Sequence, residues 1–494
     1  MSARPAPLWL FADQLGPHIH SSDKNIDRDI VLIESAAALH RRAGHRQKAH
    51  LLLSGMRHLA DELGDRARYV RGVGYRDVLQ ELPGPVAVHE PTSRAAHDFV
   101  HRLHEEGLVS EILPNPSFAL SRDEFAQWAG EHSTFRMEAF YRRQRTRFDV
   151  LMDGDQPAGG TWNYDHENRE PPPKQRTLGV DDPWWPEEDA IDDAVRADLD
   201  SMDVPWSGVD GPRLFAVTAD EAGHALRTFI DHRLATFGPY EDAIMADDWT
   251  MSHSLLSVPL NLSLLDPLDV VHAAEQAARE DQVSLASAEG FIRQILGWRE
   301  YVWHLYWHFE SDYVTNNRLD ATAPLPEWFR DLDADAVTAR CLSDALSGVR
   351  NRGWVHHIPR LMVLGSHALQ RGYDPRELTA WFTANFVDGY EWVMPVNVVG
   401  MSQHADGGLM ATKPYTSGGA YINKMSNHCG DCEFDPKKRL GDDACPFTAG
   451  YWSFTHKHQD RLARNNRTRR QVSNMNRLND LEAVLEQERE RERF

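Results

Sequence analysis

The 494-residue sequence predicts an α/β amino-terminal domain with a Rossmann-like parallel sheet, joined by a long linker to an all-α domain. Three observations predict it. The first 115 residues alternate short apolar strands with amphipathic helices, which is the pattern of a parallel sheet covered on both faces. Residues 150–210 then turn to Pro, Gly and charge, as in GDQPAGG (154–160) and REPPPK (169–174), the composition of a connector. From about residue 211 the strand signal vanishes and apolar residues recur at three-to-four spacing.

Taken in order, residues 7–11, 29–33, 68–70, 86–89 and 111–113 read as strands. Between them, 45–63, 75–82 and 94–106 read as helices, the first on the spacing of Leu52, Met56, Leu59 and Leu63. Asp266-Pro267 is an N-cap followed by proline at the first helical position. Phe291, Ile295, Trp298, Val302 and Leu305 are expected on one apolar helix face, and the charged end QERERERF as a frayed helix. The expected division is 1–140, a linker over 141–210, and 211–494.

The formal net charge is −22 and is unevenly placed. Residues 180–203 are strongly acidic, whereas Arg461, Arg464, Arg467, Arg469 and Arg470 form a basic stretch. Nucleic-acid affinity needs only a local basic face, so the global sum does not exclude it. No apolar run reaches the roughly 20 residues of a membrane span, and the start lacks a secretory pattern, so a cytoplasmic monomer without a membrane partner is expected.

Four cysteines are too few for a disulfide scaffold. Cys429-Gly-Asp-Cys432 and Cys445-Pro446 form a compact three-ligand group, with Cys341 far upstream as a fourth. Cys-Pro recurs at iron–sulfur ligands, and no second CxxC completes a zinc ribbon. Four thiolates suit zinc equally well, so spacing alone leaves 4Fe–4S and zinc both open.

Longer segments carry a resemblance. FGPYEDAIMADDWTMSHSLLSVPLNLSLLDP (237–267) and GFIRQILGWREY (290–301) resemble the FAD-binding half of the photolyase and cryptochrome superfamily. MSQHADGG (401–408), TKPY (412–415), YINKMS (421–426) and the four cysteines resemble the iron–sulfur bacterial cryptochromes and photolyases, a group that includes prokaryotic (6-4) photolyases. The similarity extends from ADQLG (12–16) through MRHLADEL (56–63) and WNYDHENR (162–169) to PFTAGYW (446–452).

The resemblance implies a 4Fe–4S cluster on Cys341, Cys429, Cys432 and Cys445, and FAD in the helical domain. Tyr240, His253, Ser254 and Ser257 would lie near the phosphates, where hydroxyls and helix-start amides suit anions. Gln294, Trp298, Arg299 and Tyr301 would form a cofactor wall, and Asp388 and Asn397 the edge of the isoalloxazine. It implies light-dependent repair of UV-damaged DNA, with His356 and His357 in the lesion pocket and His357 as the acid. A blue-light photoreceptor without repair is the alternative. Pro359 departs from the family's glutamine, and a proline there is expected to disturb a helix interior. Trp381 and Tyr390 match relay positions, and Tyr415 and Tyr421 match tyrosines near flavin and lesion. A further relay tryptophan is missing before Cys341. A 6,7-dimethyl-8-ribityllumazine antenna is implied near Asp13 and Glu34, weakened because Ala38 replaces a second glutamate.

Overall fold

Leu8 and Leu10 point to one side of the first strand and Trp9 to the other, and all three are buried. That double burial needs helices on both faces, which is what a parallel sheet provides. In the computed structural model, which describes residues 5–132, 136–175 and 177–494, the five strands are β1 Leu8–Leu10, β2 Ile30–Ser35, β3 Ala67–Gly72, β4 Val86–His89 and β5 Val109–Leu113. They pair in parallel in the order β3-β2-β1-β4-β5. Trp9, Val31 and Ile33 meet Val78, Val100 and Leu103 on one face. On the other, Leu8, Leu10, Ile30 and Leu32 join one core with Leu255, Val258, Trp354 and Val387, so the sheet and the helical part share apolar packing.

Among the described residues every named strand after residue 113 belongs to one short hairpin, Met152–Asp153 with Gln156–Pro157. That hairpin lies in the expected linker, which also carries the helix Ala190–Ser201. Its Val195 and Leu199 pack on Ala49 and Leu53 of the helix Arg46–Leu63, and buried Asp192 accepts from His50, Ser54 and Arg213. The connector is thus ordered against the first domain.

Three further expectations are corrected. The residues from Phe291 to Leu305 do not form one stripe, because a π-helical turn, Arg293–Arg299, adds a residue and rotates the phase. Phe291 and Ile295 join one core, Val302 and Leu305 another. Pro359 sits in the first turn of its helix, where its missing N–H would have no partner, and disturbs nothing. The carboxyl end is docked: the Glu488 side chain is 2% exposed between Arg371 (2.7 Å) and Arg491 (2.5 Å), and the Phe494 ring lies 5.1 Å from His367. No helix among the described residues is long and apolar enough to cross a membrane.

Candidate functional site

The helical part encloses an open cavity of about 1590 Å³. Three π-helical turns contribute to its wall: Arg293–Arg299, Pro359–Gly365 and Val396–Ser402. Each widened turn redirects side chains that a regular helix would aim elsewhere, which is why such turns collect at functional sites.

His253, Ser254 and Ser257 line one part of the cavity, Gln294, Trp298 and Arg299 another, and Asp388 and Asn397 a third. His356, His357, Tyr415 and Tyr421 complete the expected set in the wall. Segments separated by more than a hundred residues are brought together there. Tyr240 and Tyr301 are not in the wall: Tyr240 packs with Ala243, Met245 and Met251, and Tyr301 is 1% exposed against Phe140. Trp381 and Tyr390 also lie outside it. The Trp381 indole N–H donates to the Phe329 carbonyl (3.1 Å), and the Lys48 ammonium lies 5.2 Å from the Tyr390 ring.

The wall is held by polar contacts. Arg360 grips both Asp388 oxygens (2.8 and 3.0 Å), donates to the Val355 carbonyl (2.6 Å) and lies over the Phe386 ring. Arg299 donates to the carbonyls of Ser117 and Leu260 and stacks 4.3 Å from the Phe118 ring. Burial lowers its pKa to about 10, which still leaves it a cation at neutral pH. His253 and His356 stack at 4.2 Å, and burial first, then neighbouring positive groups, pushes both pKa values down, that of His253 to about 3. His357 is exposed to the open cavity, where the neighbouring Arg360 disfavours its charged form. All three rings are therefore neutral at pH 7. In the same wall, Asp165, Glu241 and Asp242 form an acidic corner beside Arg169 and Arg293, and burial raises Glu241 to about 8.

Several buried polar atoms of this wall have no partner in the chain: Nε of Arg299, Nε2 of His253 and Nδ1 of His356. A large cavity with a buried cation, apolar walls and unmatched donors fits a bulky anionic cofactor such as FAD. Sequence reasoning left Arg360, Trp354 and Trp392 unassigned. Arg360 was legible as the arginine of the motif around His356 and His357, whereas nothing local separated the two tryptophans from core residues.

The four thiols are also brought together. Cys341 and Cys445 lie in one core cluster, with Cys429 and Cys432 packed against it. Burial and the charges of the other thiols push Cys341 up strongly and Cys429 to about 12. None of the four is in a disulfide. In the first domain Asp13 lies past the end of β1 and accepts from Thr92, past β4, at 2.5 Å, across the point where strand order reverses. Glu34, the second expected antenna residue, is engaged by Arg57 (2.9 Å) and Tyr69.

A parallel sheet docked on a helical part that encloses such a cavity is the architecture of photolyases and cryptochromes. A bacterial class III photolyase from Agrobacterium tumefaciens superposes with a TM-score of 0.61 at 16% identity, covering 96% of this chain and 99% of its own. A cryptochrome from Synechocystis superposes at 0.57 and 15% identity, covering 85% and 86%. Residues 8–209 match the family described as deoxyribodipyrimidine photo-lyase-related protein. A (6-4) photolyase of Agrobacterium fabrum is 38% identical over 479 residues, 93% of each chain. The chain belongs to the photolyase and cryptochrome superfamily, among the (6-4) photolyases and their relatives.

Proposed function

We propose that this chain is a light-dependent DNA photolyase that reverts (6-4) pyrimidine photoproducts, with FAD in the cavity and a 4Fe–4S cluster on its cysteines. The observation that carries the reading is an open, aromatic and cationic cavity with two neutral histidines in its wall, in a chain 38% identical to a (6-4) photolyase. FAD, when bound, reduced and excited by light, supplies the electron that opens the lesion.

The remaining work falls to the chain itself. Arg136, Lys413, Lys437, Arg439 and Arg467 line the same cavity and suit the phosphates of a DNA strand. A damaged base flips into the cavity more readily than a paired one, as in photolyases generally, because its stacking and pairing are already weakened. Arg299 offers charge to the cofactor's anionic groups, and the Arg360–Asp388 pair fixes the wall beside them. His357 presents a ring N–H to the lesion, and the phosphates of bound DNA favour its imidazolium form, preparing it to donate that proton. His253 stacked on His356 holds the second ring in place.

Cys341 and Cys445 in one core cluster, with Cys429 and Cys432 packed against it, supply the four thiolates that a 4Fe–4S cluster would need. For the lumazine antenna, Asp13 supports the reading, while Glu34 is already engaged by Arg57 and Tyr69.

The test is to illuminate reduced, flavin-loaded protein with an oligonucleotide carrying a (6-4) photoproduct or a cyclobutane dimer. Restored bases in the first are expected; restoration in neither overturns the repair reading. His357→Ala is expected to lose repair while keeping its flavin spectrum, and retained repair removes that histidine from the mechanism.

A further inference from the structure

The helix Arg94–Glu105, between β4 and β5, buries Val100 and Leu103 against the sheet. That leaves His97 half-buried and His101 exposed on its outer side. His97-Asp98-Phe99-Val100-His101 has the spacing of the H-E-x-x-H metal helix, with Asp in place of Glu. Histidines four apart stand one above the other on one helix face. Spacing alone does not make a site, so the geometry decides.

The two Nε2 atoms lie 3.1 Å apart, whereas the ring centres lie 4.3 Å apart. Both rings therefore tilt their Nε2 ends toward each other. Two metal–nitrogen bonds of about 2.0–2.1 Å, meeting at square-planar to tetrahedral angles, hold their nitrogens about 2.8–3.4 Å apart. The observed separation falls inside that span. Nδ1 of His97 faces the Asp98 carboxylate at 3.6 Å, which favours the hydrogen on Nδ1 and leaves Nε2 as a lone pair. Burial, then His101 and Arg122, lower the pKa of His97, so that lone pair is free at neutral pH. In the metal-free chain the Nε2–H of His101 donates to it. A tautomer shift of His101 moves this hydrogen to Nδ1 and frees the second lone pair. Arg122, the nearby cation, is stacked 4.1 Å from the Trp307 ring and paired with Glu90 at 3.8 Å.

Another cluster of ligand types, His58, Asp189 and Asp192, is less suited. Its Asp192 already accepts from His50, Ser54 and Arg213, and its Asp189 caps the helix Ala190–Ser201.

We propose that His97 and His101 chelate one divalent transition-metal ion through their Nε2 atoms, with Asp98 as the outer partner and water in the remaining positions. At equal supply such nitrogen ligands take copper more tightly than nickel or zinc. The ion braces one turn of a helix on the seam between the two domains. There the His97 ring lies 5.4 Å from that of Trp307, and Arg94 donates to the carbonyls of Trp307 and Phe309. Neither histidine lines the cavity, and the site is independent of the reaction proposed above.

The test titrates the full chain, flavin included, with copper(II). One bound copper is expected, with an electron paramagnetic resonance signal split by imidazole nitrogens. Binding should quench part of the tryptophan emission, through Trp307, and raise the thermal midpoint. His101→Ala, at an exposed position, is expected to lose the saturable site and the quenching, and His97→Gln to give the same loss. Asp98→Ala should weaken binding by about tenfold. Equal affinity in the parent and both histidine variants overturns the proposal. So does an ion that is lost with His58→Ala instead, or one that shows sulfur ligation.

Discussion

His45 joins the two parts of the molecule in one protonation state, and replacing it with Asn should flatten the acid side of the stability profile. The residue caps the helix Arg46–Leu63, with its Nδ1 accepting from the Gln47 N–H at 3.2 Å. Because Nδ1 faces a donor, the ring proton sits on Nε2, which donates to the Arg350 carbonyl at 3.1 Å. The ring is 1% exposed and clamped by Gly208 and Gly353, both at positive φ; a Cβ on Gly208 would lie 2.0 Å from Nε2. Burial lowers its pKa to about 4, against about 6.5 unfolded. Between those values the unfolded chain binds the extra proton, so stability is complete above the unfolded pKa and is lost as pH falls. From about pH 7.5 to about pH 4.5 the loss from this group is about 2.5 kcal/mol. Asn keeps a capping oxygen but cannot titrate, and it gives up the Arg350 bond at about 1 kcal/mol. His45→Asn is therefore less stable near neutrality, and its deficit shrinks by about 2.5 kcal/mol at the acid end. Denaturant unfolding of both proteins across this range measures the difference. Parallel profiles, or an imidazole titrating near its unfolded value by NMR, would refute the reasoning.

Cys445→Ser should lose iron and the visible absorption of the cluster, and added zinc should not restore the lost stability; stoichiometric zinc in the parent protein contradicts the cluster. Pro359→Gln should change stability by less than about 1 kcal/mol, because the first helical turn leaves that N–H without a partner. A large fall in thermal midpoint would show that the proline is needed for the turn. Glu488→Gln should destabilise by about 3 kcal/mol, since it leaves Arg371 and Arg491 with an uncompensated buried charge. Unchanged thermal unfolding would mean that this carboxylate does not hold the carboxyl end in place.

The five strands and three of the helices between them were legible because each is specified locally: a short apolar run where both faces are buried, three-to-four spacing where one face is. The family motifs carried the same kind of information, and most of the residues they indicated line the cavity. The misreadings share one cause. The Phe291–Leu305 stripe fails because a π-helical turn rotates it, and local spacing cannot show one inserted residue. The carboxyl end looked frayed because its charges have no partners in sequence, yet Glu488 meets Arg371 more than a hundred residues away.

Pattern along the chain thus settled which elements form and which chemical groups are available. Whether four cysteines meet, and whether Tyr240 and Tyr301 reach a wall, were decided only when distant segments packed. Those outcomes depend on how buried surfaces interlock in three dimensions, and a one-dimensional period holds no record of that.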